Sequence, residues 1–129
     1  MVLNYWGTNI SQEEIASKIY DPATNLTYIS EMLAYPRGFG FNSTELTSSI
    51  DSLKEYIRNG YPSIVLQKFS SQDAYGHYRL VVGYDDVGDH FITYDPILGS
   101  NYNLTYVQFA ELWKPGSTFS TYNWTLLVA

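Results

Sequence analysis

From Pro62 onward the chain breaks into short runs dense in β-branched and aromatic residues: "SIVLQKF", "YRLVVGYD" and "HFITYD". Each run is bounded by turn formers, which predicts strands joined largely as hairpins. A last strand is expected around "NWTLLV", after a short helix at about 106–113 with Val107, Phe109, Leu112 and Trp113 inward. Before Pro62 the apolar residues recur at helical spacing instead. Helices first and strands later is an α+β pattern with a mainly antiparallel sheet, whereas a parallel sheet needs the two to alternate.

The helical half divides into four parts. "MVLNYW" is apolar almost throughout, unlike an ordinary chain start, and reads as the end of a buried helix that Gly7 terminates. "SQEE" has capping-box spacing, Ser11 with Glu14, and opens a helix at about 12–20. A further helix is expected at about 27–35, with Ile29, Met32 and Leu33 inward, stopped by Pro36, Gly38 and Gly40. "SSIDSLKEYIRNGYP" places Ile50, Leu53, Tyr56 and Ile57 on one face and ends at Gly60. None of these helices carries residues arranged for chemistry.

The strand pair "GHYRLVVGYDDVGDHFITYDP" does. A three-residue loop, Asp86 and Val87 in a type I turn with Gly88 left-handed, pairs Asp85 with Asp89. Arg79 then lies opposite Asp95, and His77 is its diagonal neighbour on the same face, within reach of a carboxylate. A register slip of one residue would separate the two. The other face, Tyr78, Leu80, Val82 and Tyr84 with Ile92 and Tyr94, reads as core, and His90 falls on it beside the turn. A carboxylate beside an imidazole fixes its tautomer and steadies its charged form, the needs of an acid–base histidine. Such a pair lacks only a nucleophile. Asp-Pro is also an ordinary turn opener and Gly-His an ordinary strand entrance, and spacing alone favours that plainer reading.

Composition narrows the field. The chain has 129 residues, fitting one domain over 1–129, and a net charge of −6 without a basic cluster, which speaks against nucleic acid or an anionic membrane as partner. No apolar run approaches the roughly 20 residues of a membrane span. Cysteine is absent, which removes disulfides, thiolate metal sites and thiol nucleophiles from these residues. No metal site or cofactor is expected. Five Asn-x-Ser/Thr triplets, at Asn9, Asn25, Asn42, Asn103 and Asn123, exceed the one or two that composition gives by chance. With 13 tyrosines and 16% charged residues they point to an extracellular or cell-surface protein carrying candidate glycosylation sites.

"GHYRLVVGYDD" followed by "FITYDP" resembles the His and Asp motifs of the bacteriocin-processing-type cysteine peptidases, a papain-like family. "NGYPSIVLQ" resembles the strand before the histidine motif, and "MVLNYWGTNISQEEIA" the end of the family's nucleophile helix and the segment after it. The resemblance implies a papain-like fold in which helices pack on the antiparallel sheet. It implies His77 as general base and Asp95 as the group that orients it. It also implies a cysteine, at the start of the helix whose tail is "MVLNYWG", roughly two turns before Met1, and an oxyanion-hole glutamine earlier still. In papain-like enzymes the thiolate–imidazolium pair brings the cysteine pKa to about 3–4.

The leading expectation is therefore a peptidase domain acting on peptide or protein substrates, truncated before its cysteine and inactive as these 129 residues. A second reading is a non-catalytic peptide- or protein-binding module, a pseudo-peptidase, of an extracytoplasmic protein. A third is a structural extracellular domain. Loss of the start of a buried helix would expose apolar surface, so a homodimer through the N-terminal segment is expected as well.

Overall fold

The computed structural model describes residues 19–21 and 26–129. The expected helix at Met1–Gly7 lies outside them, as do Asn9 and Asn25. Of the helix expected at about 12–20, Ile19 is helical and Tyr20 already belongs to a strand.

The chain forms two compact units, Met1–Thr44 with Val128–Ala129 and Glu45–Leu127. In the first, β1 (Tyr20–Asp21) pairs antiparallel with β2 (Leu26–Thr27). Helix α1 (Ile29–Arg37) is displaced by two residues from the expected 27–35: Thr27 belongs to β2, and the helix runs on through Pro36. Proline lacks a donor and resists the helical interior, but here it sits in the last turn, where Gly38 and Phe39 close the helix with bonds to the Ala34, Tyr35 and Pro36 carbonyls. Ile29, Met32 and Leu33 are half-buried and Pro36 is buried. The chain then turns through Gly40, whose φ of 86° suits glycine.

The sheet has six strands in the order β3-β8-β4-β5-β6-β7. These are β3 (Ser43–Thr47), β4 (Ser63–Lys68), β5 (Gly76–Asp85), β6 (His90–Asp95), β7 (Gly99–Thr105) and β8 (Trp124–Val128). The run from β4 to β7 is an antiparallel meander, and β8 returns antiparallel beside β4. Strands β3 and β7 are polar, "STELT" and "GSNYNLT", and lack the apolar alternation that marked the others.

Helix α2 (Ile50–Arg58) begins where the Ser49 hydroxyl accepts a bond from the Ser52 N–H, and ends before Gly60 at φ 86°. Helix α3 (Tyr106–Leu112) opens on a full capping box between Thr105 and Gln108. Leu53 of α2 and Phe109 and Leu112 of α3 meet Val65, Val81, Phe91 and Leu104 of the strands in one cluster, completed by Trp113. Val107, expected inward, is 82% exposed. It lies two residues before Phe109, which on a helix is nearly the opposite side.

The β5–β6 hairpin departs from expectation twice, and the departures cancel. Its loop is Asp86–Asp89, and Asp85 pairs with His90 rather than Asp89. The Asp85 carboxylate captures the N–H groups of Val87 and Gly88 at 2.9 and 3.2 Å, and the left-handed residue is Asp89 at φ 52°. That one-residue slip is undone by a bulge between Val81 and Gly83, beyond which Val81 pairs with Thr93. The bulge leaves Val82 44% exposed and puts Tyr84, paired with Phe91, on the Val81 face. Both faces of the sheet are buried: Leu80, on the face expected as core, is buried there with Leu66, Trp124 and Leu126, while His77, Arg79, Val81, Phe91, Thr93 and Asp95 are buried on the other, beneath α2 and α3. Val82, also expected as core, is exposed instead.

Candidate active site

His77 enters at the start of β5 and Asp95 ends β6. The strand entrance is fixed by the loop after α3: the Gly76 N–H donates to the Thr118 hydroxyl at 2.6 Å, and the Ser117 N–H to the Ala74 carbonyl at 2.8 Å. A side chain at Gly116 would overlap that same Ala74 oxygen, so glycine there permits the close approach of two backbone segments. Across β6, the carboxylate Oδ1 of Asp95 accepts from the N–H groups of Ile97 and Leu98 at 2.8 and 2.9 Å. The residue that opens the turn is therefore also locked by it.

The two side chains meet. His77 Nε2 lies 2.9 Å from Asp95 Oδ2, with His77 7% exposed and Asp95 fully buried. The bond makes Nε2 the protonated nitrogen of the neutral ring and leaves Nδ1 with the basic lone pair. Phe69 stands edge-on to the imidazole at 5.0 Å between centroids, and Tyr75 stacks on Phe69 at 5.3 Å.

Two more polar residues complete the cluster, and neither was singled out for chemistry in the sequence. Arg79 donates from Nε to the same Asp95 Oδ2 at 2.9 Å, and Gln67 of β4, directly opposite His77 in the strand register, accepts from Arg79 Nη1 at 3.1 Å. Gln67 in turn donates to the Phe109 carbonyl at 3.0 Å, tying the cluster to α3. The available signal was an arginine in mid-strand on the face of the histidine: a buried guanidinium needs a carboxylate, and Asp95 lay opposite.

Burial moves His77 below its ordinary value of 6.5, against the pull of Asp95 and with the help of Arg79. Burial also works against ionisation of Asp95, but the Leu98 and Ile97 N–H groups and His77 outweigh it and hold the carboxyl below its ordinary value. The resting site is thus a neutral imidazole on an ionised carboxylate. That is the protonation state from which a base accepts a proton.

His90, half-buried beside the turn, has its ring against the place a Gly88 side chain would take and no part in this cluster. Among the described residues no group of three or more His, Cys, Asp or Glu is placed to hold a metal. Of the Asn-x-Ser/Thr sites, Asn42 and Asn103 are exposed, and Asn123 is half-buried at φ 51°. No described helix is long and apolar enough to cross a membrane.

The helices and the six-stranded antiparallel sheet define an α+β, papain-like peptidase fold, and the His77–Asp95 pair lies across two of its adjacent strands. The sequence profile of the Peptidase_C39 like family matches residues 1–119, and the chain belongs to that family. Solved structures share the fold at low identity. The peptidase domain of Streptococcus ComA, a bi-functional ABC transporter involved in a quorum-sensing pathway, superposes with a TM-score of 0.72 at 17% identity, over 99% of this chain and 84% of that one. A C39-like peptidase candidate from Bacillus anthracis gives 0.71 at 15% identity, over 99% and 84%. The peptidase domain of Streptococcus mutans ComA gives 0.61 at 16% identity, over 94% and 95%. No curated protein matches the chain.

Proposed function

We propose that this is the base-bearing part of a cysteine peptidase that cleaves peptides, with His77 as general base and Asp95 as its orienting partner. The observation that carries the reading is the 2.9 Å bond from His77 Nε2 to a buried, ionised Asp95, which leaves Nδ1 as the ring's acceptor. A thiol brought to Nδ1 would pass its proton to the ring, and Asp95 would steady the imidazolium. The thiolate would then attack the peptide carbonyl carbon. On collapse the imidazolium proton leaves with the amine, and the acyl group stays on sulfur until water, deprotonated by the same Nδ1, releases it as a carboxylic acid.

The 129 residues contain no cysteine, so that thiol must be supplied from outside them. On their own they are expected not to hydrolyse peptides. The lack of a thiol also supports a second reading, a binding module of an extracytoplasmic protein that holds an extended peptide without cutting it. The protein isolated from its own source, characterised by intact mass and N-terminal sequencing and then offered a peptide library, separates the two. The peptidase reading expects a cysteine in that protein and cleavage that stops on thiol alkylation. Sequence-selective binding by a cysteine-free protein, with no cleavage, supports the second.

A further inference from the structure

The centre of the polar cluster is neither member of the base–orienter pair but the arginine between them. The Arg79 side chain is fully buried and its donors are spread over four acceptors on two strands and a loop: Asp95 Oδ2 at 2.9 Å, Gln67 Oε1 at 3.1 Å, the Lys68 carbonyl at 3.1 Å and the Phe69 carbonyl at 2.7 Å. Its ε-nitrogen shares one carboxylate oxygen with His77, while the other oxygen is held by two backbone N–H groups. With four donors on two oxygens, the carboxylate cannot rotate without breaking a bond at each end.

We infer that Arg79 is a positioning residue: by clamping Asp95 and cancelling its charge, it holds His77 as the neutral Nε2–H tautomer with Nδ1 as acceptor. The inference rests on the reading of His77 as the base. In a site shielded from water, a lone carboxylate 2.9 Å from Nε2 would draw a proton onto the ring. With the guanidinium on the same oxygen the pair is close to neutral, so the cost of burying an imidazolium decides the protonation state. Among the described residues, the other groups around this pair do not offset it. Gln67, opposite His77 on β4, is uncharged. Lys68 has its ammonium 3.6 Å from Glu111 of α3. Tyr75 and Tyr102 flank the guanidinium and favour its charged form.

The test is a nitrogen-15 NMR titration of the imidazole rings in the folded chain, from about pH 4 to pH 8. In the wild-type chain the inference expects His77 to titrate below 6.5 with Nε2 protonated and Nδ1 bare. Arg79→Gln, which leaves the Asp95 charge unopposed, should raise the midpoint by about one pH unit or more. Arg79→Lys keeps a cation beside Asp95 and should hold the midpoint within a few tenths of wild type. Equal shifts in the two variants, or no rise in Arg79→Gln, would overturn the inference. Should Arg79→Gln fail to fold, the double variant Arg79→Met/Asp95→Asn removes both charges together. A midpoint that stays low there supports the account, and one that climbs above 6.5 sinks it. The readout needs no hydrolysis, so a failure of the peptidase reading would show separately, in the cleavage assay.

Discussion

Val81 stands directly opposite Thr93, while Gly83, two residues further on, stands opposite Ile92. The residue between, Val82, is the extra one, and it decides which side chains of β5 are core. Val81 is fully buried, whereas Val82 is 44% exposed. Val82→Ser should change stability by no more than about 0.5 kcal/mol. Val81→Ser should cost about 2–4 kcal/mol, by opening a cavity and burying a hydroxyl. Chemical denaturation of the two variants checks this, and equal losses would place both valines in the core.

Acid should destabilise the fold in two stages. His77 has a folded pKa below 6.5, so between that folded value and 6.5 the unfolded chain binds the proton more readily than the folded one. Stability therefore falls as pH drops below 6.5, by at most about 1.4 kcal/mol per pH unit from this group. Asp95, also lowered, contributes stability that is present above 3.8 and is lost as pH falls through its folded value. Urea midpoints measured from neutral to acid pH should decline in the wild-type chain, and His77→Gln should remove the first decline. An unchanged first decline in His77→Gln would assign it to other groups.

Gly116→Ala sets a side chain against the Ala74 carbonyl and the Phe119 ring. The loop must move, at a cost of about 1–3 kcal/mol. Because Thr118 of the same loop holds the Gly76 N–H, the amide resonances of Gly76 and His77 should shift as well. A stable variant with unshifted Gly76 and His77 resonances would mean that the loop does not set the strand entrance.

Thr105 is both the last residue of β7 and the cap of α3, and its hydroxyl accepts from the Gln108 N–H at 3.2 Å. Thr105→Ala should cost about 1 kcal/mol and Thr105→Ser a few tenths. Thermal unfolding of the two variants reads the difference directly.

Much of this was legible because local rules were strong. The Gly60 stop and the apolar face of Ile50, Leu53, Tyr56 and Ile57 announce α2 without help from the rest of the chain. The three central strands were legible from their β-branched runs. Strands β3 and β7 were not, since their residues are polar and only neighbouring strands make them strands. The co-facing of His77 and Asp95 was foreseen from a turn that does not form, and it holds because the bulge at Val82 restores the register that the longer loop shifts. The one local signal of that bulge is Gly83, an isolated glycine inside the strand. The burial of the second face was not foreseen: an alternation containing His77, Arg79, Thr93 and Asp95 looks polar, and it is buried because His77, Arg79 and Asp95 satisfy one another while the Thr93 hydroxyl donates to the Tyr102 carbonyl.

The central claim is that His77 is the base of a thiol-dependent peptidase, and its most direct test is kcat/KM for peptide cleavage by a thiol-bearing form of this protein carrying His77→Ala or Asp95→Asn. The account predicts a loss of about a thousandfold or more for His77→Ala and a smaller loss for Asp95→Asn. Cleavage that survived His77→Ala undiminished would contradict it.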